Sequence, residues 1–146
     1  GKVMGKSEPW YTRFLRFAFS LPLLVAACSG PLKYQVPSSS KAPGADAKIV
    51  ADVKAEQRQT LLEVTAENLP PATRVADGSS TYVVWQRKDS SGKWSRVGGL
   101  DYKEGDRKAT FKGSVPETSF DLEISAEKEA SAESPSADIV FAQRVN

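Results

Sequence analysis

Hydrophobic and polar residues alternate with a period of two along most of the chain from Lys48 onward. The clearest case is the run from Phe120 to Glu127, in which apolar residues fill the even positions and polar residues the odd ones. A period of two is typical of a strand that buries one face. The same pattern, with enrichment in β-branched and aromatic residues, predicts seven short strands, in residues 49–54, 61–67, 80–87, 93–102, 109–115, 120–127 and from 139 onward.

Turn-forming residues separate these runs. Asp89 to Gly92 and Glu104 to Asp106 are turn sequences, and Pro70 and Pro71 end the second run because proline donates no ladder hydrogen bond. About seven strands in about 100 residues predict an immunoglobulin-like β-sandwich for residues 48–146, with a small open barrel as the alternative. The cysteine framework of antibody domains is absent, since the sequence of this region contains no cysteine.

The first 27 residues have the pattern of an export signal. Basic residues, ending at Arg16, precede an apolar run of 11 residues from Phe17 to Ala27. That run is too short to span a bilayer, which needs about 20 residues, and it fits the apolar segment of a signal peptide. Residues 1–27 are therefore predicted to be a signal peptide.

The residues that follow this apolar run sharpen the interpretation. Val25, Ala26, Ala27 and Cys28 resemble the lipobox of bacterial lipoproteins, although that family usually has Leu where Val25 stands. The resemblance implies attachment of a diacylglyceryl group to the thiol of Cys28, cleavage before this residue, and acylation of the new amine, with fatty acids such as palmitate in the anchor. An ordinary secretory signal with a chance cysteine is the alternative.

Residues 28–47 are predicted to be a lipidated cysteine and a flexible linker, because Pro, Gly, Ser and Ala dominate them. A flexible chain of this length reaches about 25 Å. Ser29 follows the cysteine where enterobacterial lipoproteins retained in the inner membrane have Asp. The resemblance therefore favours an outer-membrane protein that faces the periplasm.

Composition excludes several classes of function. The formal net charge of +2 comes from the leader, because residues 28–146 hold 16 basic and 17 acidic residues. A nearly neutral domain has no field that favours nucleic acid. The chain has no histidine and a single cysteine, which removes His-based catalysis, disulfides and the usual zinc ligands. We predict a protein that is not an enzyme and needs no cofactor or metal.

Part of the domain is similar to the extracytoplasmic domain of K-type anti-sigma factors. The similar segments lie between residues 60 and 145 and are loose: Thr81 to Trp85, Val97-Gly98, Phe120 to Glu127, and Ser134-Pro135-Ser136 followed by Val140. The resemblance implies a sandwich used as a sensor or scaffold. The sigma-binding domain and spanning helix of that family are missing from the sequence, so its sigma-factor function does not carry over.

Aromatic residues are the main candidates for a contact surface. Trp85 lies in the most apolar run and is predicted to point into the core with Leu122 and Ile124, with Val84 facing outward. Trp94 follows a turn and is predicted to be partly exposed. Trp94 and Tyr102 are therefore the candidate ligand contacts.

Charge is unevenly spread along the sequence. Residues 87–112 hold eight basic and four acidic residues, whereas residues 117–138 hold seven acids and one lysine. Residues 87–112 could form a basic edge that meets anionic lipid or an acidic partner, or they could be a solvated, charge-protected sheet edge. The acids Asp101, Glu104 and Asp106 could hold calcium, but their spacing is not that of an EF-hand and turns commonly collect such residues.

Together these features predict an envelope lipoprotein attached to the membrane through Cys28, with a non-enzymatic β-sandwich as an interaction or structural module. A protein of the envelope is the expected partner. The alternative is an envelope lipoprotein that binds a glycan or another polymer.

Overall fold

The computed structural model describes residues 30–146, which form two antiparallel sheets packed face to face. The predictions at Val25, Ala26, Ala27 and Cys28 lie outside these residues. The strands are β1 (Leu32–Pro37), β2 (Asp46–Lys54), β3 (Gln59–Glu67), β4 (Thr81–Arg87), β5 (Ser95–Gly99), β6 (Asp101–Lys103), β7 (Lys108–Val115), β8 (Phe120–Glu127) and β9 (Ile139–Val145). One helical turn, α1 (Ala72–Val75), and two 3₁₀ turns, Ala55–Gln57 and Glu104–Asp106, complete the described elements.

The order of the strands confirms the predicted sandwich. The first sheet has the order β1-β2-β3-β7-β6 and the second has the order β5-β4-β8-β9. Strands β2, β3, β7 and β6 take the places of A, B, E and D of an immunoglobulin-like domain, and β4, β8 and β9 take those of C, F and G. Strand β1 extends the first sheet beyond β2, and β5 extends the second beyond β4.

Strand β1 corrects the predicted linker. It pairs with β2 from Leu32 opposite Ala51 to Pro37 opposite Asp46, and Val36 is buried in the core. Residues 32–47 are therefore part of the folded domain. The compact unit runs from Pro31 to Asn146 and contains its own hydrophobic core, which extends from Val36 to Val145.

The predicted fourth run, residues 93–102, is two strands in different sheets. The chain leaves β5 at Gly99, passes through the buried Leu100 and joins the first sheet as β6. Leu100 N–H donates to the Tyr82 carbonyl of β4 at 3.0 Å, which holds the crossing in place. The run therefore reaches from one sheet to the other at the side of the sandwich.

Contacts between the two sheets close the sandwich along both sides. On one side β1 lies beside β9, where Asn146 N–H donates to the Tyr34 hydroxyl at 3.3 Å and Ser39 N–H donates to the Val140 carbonyl at 2.9 Å. On the other side Phe111 of β7 packs against Gly98 of β5. The core between the sheets is thus shielded along both edges.

Candidate interaction surface

The outer face of the second sheet gathers most of the side chains that could carry a function. In the register of β4 with β8, Trp85 lies opposite Glu123 and Arg87 lies opposite Asp121. Residues that face each other in an antiparallel pair point to the same side. These four side chains therefore lie on one face, away from the core.

The predicted face of Trp85 is wrong, although its burial is right. Val84 lies opposite Ile124 and points into the core, whereas Trp85 lies opposite Glu123 on the outer face. The side chains of Val84 and Trp85 are fully buried. Leu122 and Ile124 are buried as well, with at most 1% of their surface exposed. Because β4 is apolar on both faces, its alternation alone does not reveal which face meets the core.

A hydrogen-bonded chain runs from Trp85 across β8 to the last loop. The Trp85 indole N–H donates to the Ser125 hydroxyl at 2.8 Å, and that hydroxyl donates to the Glu127 carboxylate. Ser136 N–H donates to the same carboxylate oxygen at 2.8 Å, and the Ser136 hydroxyl donates to the Ala126 carbonyl. This series of hydrogen bonds satisfies the buried polar groups of Trp85, Ser125 and Glu127 and fixes the loop between β8 and β9.

Several residues of the anti-sigma-like segments therefore have structural partners. Trp85, Glu127 and Ser136 take part in the series of hydrogen bonds just described. Tyr82 points to the opposite face, and its hydroxyl donates to the Pro70 carbonyl. These contacts stabilise the sandwich and use the polar atoms that a ligand would otherwise meet.

Two arginines converge on one carboxylate at the edge of this face. Arg87 Nε donates to Asp121 at 2.8 Å, and Arg144 Nη1 donates to the other oxygen of Asp121 at 3.2 Å. The pKa of Asp121 lies below its ordinary value; the hydrogen bond from Arg87 is the largest cause, and the hydrogen bond from Arg144 acts in the same direction. Arg144 also donates to the Lys88 carbonyl and to the Ser119 hydroxyl. The arginines thereby tie the end of β9 to the loops beside it.

Trp94 lies next to this cluster. The Arg87 guanidinium stands 4.4 Å from the centre of the Trp94 ring, which is partly exposed as predicted. Such an arrangement is a cation–π contact. The guanidinium covers one face of the ring. The preceding turn is held by Asp89, whose side chain accepts bonds from the N–H and hydroxyl of Ser91.

Glu123 is a buried carboxyl beside the arginine cluster. Burial raises its pKa above the ordinary value; Arg87 acts in the opposite direction, and Glu127 and Asp121 add to the increase.

Tyr102 does not join Trp94 in a shared site. It lies on β6 opposite Ala109, half-buried against the core, and its hydroxyl donates to the Leu69 carbonyl at 2.7 Å. Its ring lies 6.1 Å from that of Tyr82, and burial raises the pKa of both phenols. Tyr102 and Trp94 are on different sides of the crossing between the sheets, and a ligand contact at Tyr102 stays a prediction.

The predicted basic edge is also divided. Arg87, Lys88, Lys93 and Arg96 lie at one end of the second sheet, whereas β6 and β7 belong to the first sheet. On that first sheet, lysines pair with acids from the same or the neighbouring strand. The pairs formed by lysines of residues 87–112 are Lys103 with Asp101, Lys108 with Glu67, and Lys112 with Glu63.

Asp101, Glu104 and Asp106 are exposed; Asp101 lies in β6, and Glu104 and Asp106 lie in the turn after it. In residues 30–146, no group of three or more His, Cys, Asp or Glu side chains is placed to hold a metal ion. Within the same residues, no helix has the length and apolar character needed to cross a membrane.

Arg144 and Asp121 are functional candidates that the sequence did not suggest. They are 23 residues apart and meet only because β8 and β9 pair. Their signal in the sequence is weak, since each is a single charged residue at a strand end.

Comparisons of the chain with protein-family models, curated proteins and solved structures found no match.

Proposed function

We propose that this protein is an envelope lipoprotein, anchored to a membrane through acylated Cys28, whose sandwich serves as a non-enzymatic interaction or structural module. The observation that carries the proposal is the position of the only cysteine. It directly follows the apolar run that ends at Ala27, and it precedes the first residue of β1, Leu32, by four positions.

The contacts within the domain support a module that binds through its surface. Asp121 is held by two arginines, and Glu127 is held by Ser125 and Ser136. Carboxylates with such fixed partners are suited to holding loops in place, and a partner would meet the loops that they hold. The partly exposed ring of Trp94 is the aromatic residue best placed for such a contact.

The anchor is tested by replacing Cys28 with Ser in the full chain. The variant should lose incorporation of labelled palmitate and leave the membrane fraction, because the thiol that receives the diacylglyceryl group is gone. Ser29→Ala is the matched control and should keep both properties. Labelled fatty acid on the Cys28→Ser protein would show that the lipobox interpretation is wrong.

The outer membrane is the proposed location, because Ser29 replaces the Asp that retains similar lipoproteins in the inner membrane. Ser29→Asp should therefore shift the protein to the inner-membrane fraction of a host that sorts lipoproteins in this way. An unchanged distribution would remove this argument and leave the anchor itself untouched.

A further inference from the structure

The two ends of the sandwich differ in charge. The chain enters β1 at the same end at which β9 finishes, as the contact of Tyr34 with Asn146 shows. We call this the entry end, and it comprises residues 52–58, 87–96, 117–121 and Arg144. It holds seven basic and five acidic residues.

The opposite end, called the far end, comprises residues 41–46, 67–77, 101–108 and 127–138. It holds six basic and ten acidic residues. The domain as a whole is close to neutral, but its entry end has an excess of basic residues and its far end an excess of acidic residues. Such a molecule has a preferred orientation in an electric field.

The entry end is also the end nearest to the anchor. Only Ser29, Gly30 and Pro31 separate Cys28 from the first residue of β1. At the full extension of about 3.3–3.6 Å for each residue, this connection keeps Leu32, where β1 begins at the entry end, within about 14 Å of Cys28. The short connection replaces the longer reach expected of a flexible linker.

The turn between β4 and β5 lies at the entry end. Lys88 and Lys93 are exposed, and Trp94 follows them with Arg87 stacked on its ring. Tryptophan is enriched at membrane–water interfaces, where its ring lies at the level of the headgroups. Each basic residue near an anionic surface contributes about 1 kcal/mol to binding.

We propose that the entry end docks on the anionic phospholipid headgroups of the membrane that holds the anchor, with the 88–94 turn in contact with the surface. The far end, with its acidic excess, then points away from the membrane toward a partner. This inference rests on the proposed lipid anchor, but it concerns a separate surface of the protein.

The test uses residues 29–146, which lack the acylated cysteine but contain the whole compact unit. Binding is measured by sedimentation with vesicles of phosphatidylglycerol and phosphatidylcholine, and with vesicles of phosphatidylcholine alone. We expect binding to the anionic vesicles only, and we expect it to weaken as salt is raised, since screening shortens the reach of the charges.

Two double variants identify the surface. Lys88→Gln with Lys93→Gln should weaken binding to anionic vesicles about 30-fold, at about 1 kcal/mol for each lysine. Lys103→Gln with Lys128→Gln removes two charges from the far end and should leave binding unchanged or slightly stronger. Equal losses in the two double variants, or equal binding to neutral vesicles, would overturn the proposal.

Fluorescence locates the turn on the bilayer. Brominated phosphatidylglycerol should quench the emission of the domain, and Trp94→Phe should abolish that quenching although Trp85 remains. Absence of binding by the domain, while the full chain still takes up palmitate at Cys28, would refute the docking and leave the anchor standing. Failure of the palmitate test would instead refute the anchor.

Discussion

Gly98 provides a sharp test of how the sandwich is closed. A Cβ built at Gly98 would lie 2.6 Å from Cε1 of Phe111, and one built at Gly113 would lie 2.6 Å from Cζ of the same ring. Carbon atoms prefer a separation of about 3.5–4.0 Å. Gly98 belongs to β5 and Gly113 to β7, so the ring fills space that both sheets leave open. Gly98→Ala should therefore force Phe111 out of its position.

The expected cost follows from the kind of change. Overpacking a well-filled site costs about 1–3 kcal/mol, against a total stability of about 5–15 kcal/mol. For a domain of this size, we expect the melting temperature to fall by about 4 °C for each kcal/mol. Gly99→Ala is the matched control, because its nearest neighbour, the Tyr82 carbonyl, is 3.8 Å from the added carbon. Alanine in a strand should there be neutral or stabilising.

The measurement is urea or thermal unfolding of residues 29–146 by circular dichroism. A double-mutant cycle with Phe111→Leu adds a second criterion, since a shorter side chain should absorb part of the strain of Gly98→Ala. We expect the double variant to be at least about 1 kcal/mol more stable than the sum of the single changes. Equal melting temperatures for Gly98→Ala and Gly99→Ala, or a strictly additive cycle, would refute the packing described for Phe111.

Two further predictions concern the outer face of the second sheet. Trp85→Ala should cost about 3–5 kcal/mol, because it removes a buried ring and leaves Ser125 without its donor, whereas Trp94→Ala should cost much less; a larger loss from Trp94→Ala would contradict the burial of Trp85. Glu123→Gln should stabilise the domain at neutral pH. The folded state raises the pKa of this carboxyl, so wild-type stability declines as pH rises through the folded pKa. The advantage of the variant should vanish below the ordinary glutamate pKa of about 4.3, and an advantage that persists at low pH would refute this cause.

Alternation in the sequence was enough to predict strands such as β8, in which every second residue from Phe120 is apolar. It did not predict β1. The apolar positions Leu32, Tyr34 and Val36 alternate correctly, but prolines bracket them and serines follow. Proline is tolerated on an edge strand, because one side of the strand needs no ladder bonds. The composition of residues 28–47 therefore concealed a strand whose periodicity was present.

The candidate surface was less predictable than the strands. The partial exposure of Trp94 follows from its place after a turn, but its contact with Arg87 depends on how the turn folds back. The meeting of Arg87 and Arg144 on Asp121 requires the strand order β4-β8-β9. Strand order is set by packing between distant segments, and no local pattern encodes it. Tyr102 shows the same limit, since its sheet is decided by the crossing at Leu100.

The shortness of β6 bears on how the protein behaves at high density. An exposed strand edge can pair with the edge of another molecule and start aggregation, and short edges with charged residues resist this. Strand β6 has three residues, and its outward side chains are Asp101 and Lys103. Lipid anchors confine copies of a protein to a plane, where their edges meet more often than in solution. An edge of this kind offers neighbouring copies few backbone groups to pair with, so under the proposed lipid anchor crowding on a membrane should favour separate molecules over fibrils.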